Sequence, residues 1–404
     1  MYVNPGLDTI KRLVQLYNHP ELSYPTVHVA GTNGKGSVCT KMARALTLGG
    51  YRTGLYTSPH ISAFAERIQI DGIPIAPFVL RRYQEEVQTI LTFHRIPATF
   101  FEWATLVAFL YFREQNVDIA IIETGLGGRF DATNIVQPEV SIITSIGFDH
   151  VEILGNTLEE IAREKGGIIK DRTPVVVGPD APTDTLFEIA KNKRAPFYQN
   201  TIRHLDYDKE NQDTAQAALR LLQGRFPLSD IEIEQGLQAR PPCRFEPTLY
   251  RGKEVILDVA HNPHGIQRLI ERLRDRYPNQ PYHFITAFSA SKDIAECAKL
   301  LEQAATRITL TKANHPRLAN TDAIARFFSH GSHNITASVQ EAIDGAIDYR
   351  DNAIIVITGS FFIMADAREA LGITVPRDSH IWYNPFKPFI GAPSDLKCRA
   401  SSSK

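Results

Sequence analysis

At 404 residues with a net charge of −1, the chain is long enough for two or three domains with buried cores, and it has no overall field to draw it to nucleic acid or an anionic membrane. Hydrophobic residues make up 43% and charged residues 22%, and no apolar run approaches the ~18 residues of a membrane span, so a soluble protein is expected. Cys39, Cys243, Cys297 and Cys398 lie far apart without metal-type pairing, and the N-terminus lacks a charged-then-apolar leader; both point to a reducing compartment, the cytoplasm.

Residues 1–25 read as a short helix over 7–17 and a loop. The β-branched run 26–30 then leads into Gly31-Thr-Asn-Gly34-Lys35-Gly36-Ser37, and helical spacing follows over 38–48 until Gly49-Gly50 stops it. Strand, glycine-rich loop and helix make a phosphate cradle. Glycines let backbone N–H groups turn toward an anion, and the helix N-terminus adds partial positive charge. Lys35 supplies a cation for the β/γ-phosphates, and Ser37 a hydroxyl near a bound magnesium. One extra glycine separates Lys35 from Ser37 relative to the common pattern, and a plain Gly/Asn-rich turn is the competing reading. A second strand spans 53–57 and ends in Ser58-Pro-His60. Isoleucines alternating around Asp71-Gly72 predict a hairpin, and helices are expected over 78–93 and 102–115.

The continuous apolar run 118–124 predicts a buried parallel strand ending in Glu123 and a glycine-rich loop, Gly125 to Asn134. Strand 141–146 ends near Asp149-His150, helix 157–165 leads to Lys165-Gly-Gly167, and strand 174–178 follows. Gly31, Ser58, Glu123 and His150 thus all follow carboxyl ends of strands, where ligands gather in such sheets. Residues 195–246 are less regular, with helices expected at 211–223 and 229–238 and a proline-bearing linker at 240–244. A second alternation begins near 247. It has strands at 255–258, 282–287, 306–311 and 353–358, and helices after 263 and at 292–304, 321–329, 338–349 and 361–371. The expected class is α/β: an N-terminal P-loop ATPase-like domain with a mostly parallel sheet over 1–240, a C-terminal Rossmann-like domain over 247–380, and a flexible tail over 381–404. The second domain carries no G-x-G-x-x-G, which argues against a dinucleotide.

Several side chains at these strand ends have two readings. Glu123 can bind Mg²⁺, a hard cation that takes oxygen, or can cap a helix. His150 alone reads as a polar loop residue, since imidazole is an unusual Mg²⁺ ligand. Lys165 can be a solvated lysine at a helix C-terminus. Asp258 and His261 can meet ribose or metal-bound water, or simply form an Asp/Asn/Pro turn.

Six ordered motifs carry a resemblance: residues 31–37, Thr57-Ser-Pro-His60 with Glu66-Arg-Ile68, residues 123–134, Ser145-Ile-Gly-Phe-Asp-His150, Arg163-Glu-Lys-Gly-Gly-Ile168 and Asp258-Val-Ala-His-Asn-Pro263. Together they resemble the folylpolyglutamate synthase/dihydrofolate synthase family within the Mur ligase superfamily, over about 26–370. The resemblance implies an ATP-dependent ligase forming an amide between a pteroate or folate carboxylate and the amino group of L-glutamate, working as a monomer without nucleic acid or membrane. It assigns Thr32, Asn33, Gly34, Lys35, Gly36 and Ser37 to the ATP phosphates and Asn211, Arg244 and Asp258 to ATP contacts. Ser58, Glu123 and His150 are implied to hold Mg²⁺. Lys165 matches a lysine that becomes carbamylated and supports a second metal, and a monovalent cation is a further implied cofactor. Thr99, Phe100, Phe101 and Glu102, with Phe130, Asp131 and Ala132, match pterin-binding segments. His261 is expected in catalysis, and Ser360 near glutamate. The chain departs from the family pattern at Tyr207-Asp-Lys-Glu-Asn211, which lacks the usual His-Gln, at Arg240-Pro-Pro-Cys-Arg244, which replaces Arg-Trp-Pro-Gly-Arg, and at Gly166, where alanine is usual.

Three other readings compete: a Mur-type ligase acting on a different carboxylate, a small-molecule kinase, and a catalytically silent nucleotide-binding module. Only 30 residues precede Gly31, too few for the extra N-terminal domain of a cell-wall Mur ligase. A kinase leaves Lys165, Asp258 and His261 without a role, and intact Lys35, Glu123 and His150 argue against a silent module.

Overall fold

The computed structural model describes residues 6–376 apart from 330, 332 and 350, so the expected tail over 381–404 and Cys398 lie outside the described residues. Two sheets organise the rest. The first contains β1 (Thr26–Ala30), β2 (Thr53–Tyr56), β3 (Ile68–Ile70), β4 (Ile73–Pro74), β5 (Ile119–Glu123), β6 (Val140–Ile143), β7 (Val175–Val177) and β8 (Phe197–Gln199), in the order β4-β3-β2-β5-β1-β6-β7-β8. Its six strands from β2 to β8 run parallel, while the β3–β4 hairpin is antiparallel at one edge. Asp71 (φ 54°) and Gly72 (φ 79°) form the hairpin turn with two left-handed residues, as Asp-Gly favours.

The central strand β1 is buried along its whole length, and so are its neighbours β5 and β6. Burial on both sheet faces explains their unbroken apolar runs. Helix Lys35–Leu48 covers one face beside helices Tyr207–Leu222 and Asp230–Leu237, and the core there includes Val38, Met42, Leu46, Leu219 and Leu237. Helix Phe100–Glu114 buries Trp103, Leu106, Phe109 and Phe112 on the other face.

The second sheet contains β9 (Glu246–Tyr250), β10 (Lys253–Leu257), β11 (Tyr282–Thr286), β12 (Arg307–Leu310), β13 (His333–Ile335) and β14 (Ile354–Thr358), in the order β13-β12-β11-β14-β10-β9. All pairings are parallel except β9 with β10. Three edge strands, β8, β9 and β13, go beyond the sequence expectations. Their side chains are largely half-buried or exposed, so they leave no apolar run to read. A helix over Thr183–Asn192 was also not expected. Helix Thr321–Ala325 is shorter than the expected 321–329, and the expected helix 361–371 splits into a 3₁₀ turn, Phe361–Ile363, and helix Met364–Ala370.

Strand β6 stops at Ile143, short of the expected 146. The reason is local: Thr144 and Ser145 turn their hydroxyls onto the backbone carbonyl of Asn33, at 2.6 and 3.1 Å, and Thr32 N–H donates to the Ser145 carbonyl at 2.7 Å. The glycine loop is thereby tied to the end of the neighbouring strand. No helix among the described residues is long and apolar enough to cross a membrane.

Candidate active site

The glycine loop leaves β1 at the centre of the first sheet, and helix Lys35–Leu48 begins at Lys35, earlier than the expected 38. Gly34 (φ 86°) precedes it, and a Cβ there would lie 2.4 Å from Asn211 Oδ1. Both the left-handed backbone and the close approach require glycine. The same contact brings Asn211 to the loop, although helix Tyr207–Leu222 carries it from far along the chain. Thr32 hydroxyl exchanges hydrogen bonds with Gly147 backbone at 3.0 and 3.1 Å, fixing the loop on its other side.

Two lysines meet here. Lys35 Nζ donates to the carbonyls of Gly31 (3.1 Å) and Thr32 (3.3 Å) and lies 4.0 Å from Glu123 Oε1. Lys165 Nζ, from the end of helix Leu158–Gly166, donates to the same Gly31 carbonyl at 3.0 Å. Lys165 is buried. Burial first, and then the charge of Lys35, pushes its pKa down to about 7. The competing reading of a solvated lysine at a helix end is therefore excluded, because this amine is buried.

Glu123 ends β5 with its carboxylate buried. Oε2 accepts from Ser58 N–H at 2.9 Å, and a Cβ on Gly36 would lie 3.5 Å from that oxygen. Burial raises its pKa, opposed by Lys35. Buried Ser37 follows in the first helical turn. A buried oxygen donor set beside the phosphate loop fits a hard divalent cation, and Ser58 stands next to it. His150 is turned elsewhere: its Nε2 lies 3.2 Å from Lys292 Nζ, and burial lowers it to about 4. Among the described residues no three His, Cys, Asp or Glu side chains are gathered as a ready metal cage.

The pterin-expected segments are brought together. Thr99 and Glu102 exchange capping hydrogen bonds at the start of helix Phe100–Glu114, which sets the direction of Phe100 and Phe101. The Phe101 ring lies against Gly125, where a Cβ would come within 2.4 Å. Buried Asp131 accepts from the N–H groups of Gly125 and Leu126 at 2.9 and 2.8 Å, so it shapes this loop from within. Ala132 is buried behind it, while Phe130 is exposed beneath the Arg129 guanidinium.

The second sheet meets the loop through its own strand ends. Asn33 and Asn262 pair amide to amide at 3.1 Å, and Asn33 also reaches His264 Nδ1 at 3.1 Å. Asp149 joins both sides: it accepts from Lys292 Nζ at 2.6 Å and Asn262 Nδ2 at 3.1 Å, with His261 Nε2 at 3.6 Å. Burial works against its charge, yet His261 and Lys292 outweigh this and hold the carboxyl well below the usual range. Burial lowers His261 itself, opposed by Asp149.

Asp258, expected to touch ATP, uses both oxygens internally. Tyr207 hydroxyl and Phe245 N–H donate to Oδ2 at 2.5 and 2.8 Å, and Ala260 N–H donates to Oδ1 at 2.8 Å. Arg244 lies over the Phe361 ring at 5.1 Å and acts on Glu123, which puts it in the cleft. Cys243 before it has φ 56°, a left-handed conformation of the kind glycine adopts most readily. Ser360 is buried and caps the following turn through Phe362 N–H at 3.2 Å. Sequence reading missed Lys292, Asp149, Asn262 and His264 as site residues. The rule of strand carboxyl ends could have found Lys292, six residues past β11.

The chain matches the family model of the Mur ligase middle domain over residues 29–221 and that of the Mur ligase glutamate ligase domain over 243–361. It is 33% identical to the dihydrofolate synthase/folylpolyglutamate synthase of Bacillus subtilis, over 91% of this chain and 95% of that one. Among solved structures it is similar to Escherichia coli FolC in complex with DHPP and ADP, with 30% identity, TM-score 0.84, and 92% and 94% of the two chains covered. It is also similar to the bifunctional folylpolyglutamate synthase/dihydrofolate synthase of Yersinia pestis complexed with AMPPNP and Mn, with 30% identity, TM-score 0.83, and coverage of 92% and 96%.

Proposed function

Because the chain belongs to the dihydrofolate synthase/folylpolyglutamate synthase family of Mur ligases, we propose that it uses ATP to join L-glutamate to a pterin-bearing acid, dihydropteroate or a reduced folate. The observation that carries this is the meeting of Lys35, Lys165 and Glu123 around one glycine loop, with the second lobe's Asn262 and Lys292 reaching the same place.

A carboxylate does not accept an amine at neutral pH because its oxide is a poor leaving group. One carboxylate oxygen attacks the γ-phosphorus, the bond to the β-phosphate oxygen breaks, and ADP leaves. The glutamate amine then attacks the acyl carbon, loses a proton, and the C–O bond breaks to release phosphate. The first step brings two anions together, so catalysis is mostly positioning and charge neutralisation. Lys35, whose Nζ rests on its own loop's carbonyls, swings to the β/γ-phosphates, and the N–H groups from Thr32 to Ser37 hold them. Glu123, with Ser58 and a re-aimed His150, would hold Mg²⁺. When bound, that ion supplies positive charge along the phosphates.

Lys165 takes up CO₂ as a carbamate. The neutral amine forms the N–C bond and releases a proton, which a lysine lowered to about 7 permits near neutrality. The carbamate replaces a cation beside Lys35 with an anion able to support a second Mg²⁺. The pterin lies between Phe100–Glu102 and Phe130–Ala132. Asn211 and Arg244 contact ATP; Asp258 acts through Tyr207 and the Phe245 backbone, shaping the pocket from behind. His261 and Ser360 stand where glutamate enters. The seam at Asn33, Asp149, Asn262 and Lys292 keeps water from the acyl phosphate. A monovalent cation beside the phosphates, a monomer and a cytoplasmic location complete the reading.

The test is ADP release with dihydropteroate, with tetrahydrofolate and with neither, each with and without L-glutamate. Release that needs both an acceptor and glutamate supports the reading; release indifferent to glutamate contradicts it.

A further inference from the structure

A buried line of hydrogen bonds runs beneath residues 125–134, through two side chains that have no role in the site as described. It starts on β1. Val27 and Val29 turn into the core under helix Lys35–Leu48, whereas His28 between them turns to the opposite face and is fully buried. Its Nε2 lies 2.8 Å from Thr133 Oγ1. Thr133 is fully buried in the turn Ala132–Ile135; its hydroxyl lies 2.5 Å from Asp131 Oδ1, and its N–H donates to the same oxygen at 3.0 Å. Asp131 Oδ2 takes the N–H groups of Gly125 and Leu126. Burial raises the pKa of Asp131, and these four donors oppose it. Four donors on two oxygens make the carboxylate an acceptor only, so the Thr133 hydroxyl donates to it. A hydroxyl has one hydrogen, so its oxygen accepts from His28, whose Nε2 carries the hydrogen and whose Nδ1 is bare. Burial, and then Lys170, lowers His28 to about 3, so the ring stays neutral. Nδ1 is buried and finds no partner among the described residues, which costs stability. Ile122, level with His28 on β5, fills the same face with hydrocarbon. Packing alone asks for such a side chain at 28 as well; the imidazole is explained by the one hydrogen it gives.

The line ties two loops to one strand. β1 runs into the phosphate loop, and His28 stands three residues before Gly31. Through Thr133 and Asp131 the same strand holds both ends of the loop 125–134, whose Gly125 lies against the Phe101 ring. We propose that His28 and Thr133 are positioning residues of the acceptor site: acting through Asp131, they set the pterin-bearing loop against Phe101 and in register with the phosphate loop of the same strand. The inference rests on the ligase reading above and deepens it. Attack on the γ-phosphorus needs the acceptor carboxylate within about 3–3.5 Å of it, so both substrates must be placed from a common frame. A loop released from β1 misplaces the pterin acid while leaving the nucleotide held.

The test is calorimetry on the full chain, titrating ADP alone and then dihydropteroate with ADP present, with thermal unfolding of each variant alongside. Thr133→Val keeps the shape and removes the hydroxyl, Thr133→Ser keeps the hydroxyl, and His28→Val removes the donor at the other end of the line. The expected result is that Thr133→Val and His28→Val each weaken dihydropteroate about tenfold and leave ADP within about twofold, whereas Thr133→Ser binds both as the unaltered protein does, whatever its unfolding temperature. Should Thr133→Val not fold, His28→Val carries the same comparison. Equal weakening of ADP and dihydropteroate, a Thr133→Ser as impaired as Thr133→Val, unaltered binding in both valine variants, or unfolding of both overturns the positioning role. The unaltered protein is measured first: if it binds ADP but not dihydropteroate, the pterin-acid reading itself falls, and the positioning role with it.

Discussion

The two lobes supply the site by different means. The first lobe contributes a contiguous loop, residues 31–37, held between buried strands and tied by Thr32, Thr144 and Ser145 to the end of β6. The second contributes side chains from two separate segments, Asn262 and His264 at the start of helix Pro263–Arg276 and Lys292 from the loop after β11, which reach across to Asn33 and Asp149. Anion binding needs many backbone N–H groups in one place, which only a contiguous segment provides. Closure needs contacts that can form and release, which separated polar side chains provide.

Variants of the two lobes should therefore fail in different ways. The largest effect is expected from Lys35→Ala, which removes the mobile cation of the loop: ATP turnover should fall by about a thousandfold, read as ADP release. Unchanged turnover would refute the cradle. Lys165→Ala should fall by about a hundredfold and recover in part with short carboxylic acids that stand in for the carbamate. No recovery under any condition would leave the carbamate without support. The same amine predicts a pH effect. Its pKa is lowered to about 7, so the neutral, CO₂-reactive form grows as pH rises through that value. Activation by bicarbonate should accordingly be stronger at about pH 8 than at about pH 6; the reverse order would contradict it.

On the other side of the comparison, Lys292→Met leaves Asp149 as a buried carboxylate without its 2.6 Å partner. Thermal unfolding should show a loss of about 3 kcal/mol, with glutamate-dependent ADP release reduced about tenfold. Asn262→Ala should do least. It removes the amide pair with Asn33 and the helix cap on Gly265 N–H, costing about 1 kcal/mol and raising the KM for ATP by a few fold without abolishing turnover. Abolished turnover in Asn262→Ala would erase the distinction between the two lobes.

The same contrast explains what could be read from the sequence. Strands buried on both faces, such as 26–30 and 118–124, leave apolar runs, and the glycine loop announces itself by residue type. Edge strands β8, β9 and β13, with half their side chains in water, leave no such trace. The residues around Lys165, apart from the family resemblance, left it open for a different reason. Its helix ends in ordinary polar residues, and only packing against Gly31 shows that the amine is dry. Asp149 and Lys292 are 143 positions apart, and nothing local to either names the other. Asp258 looked free at a strand end, whereas the fold satisfies both its oxygens from Tyr207, Phe245 and Ala260.

The central claim is that a carboxylate is activated as an acyl phosphate between these two lobes. It is tested most directly by supplying dihydropteroate with an ¹⁸O-labelled carboxylate, together with ATP and L-glutamate, and analysing the phosphate released. The account predicts that each phosphate carries one oxygen from the acceptor carboxylate. Product formed with unlabelled phosphate would contradict it.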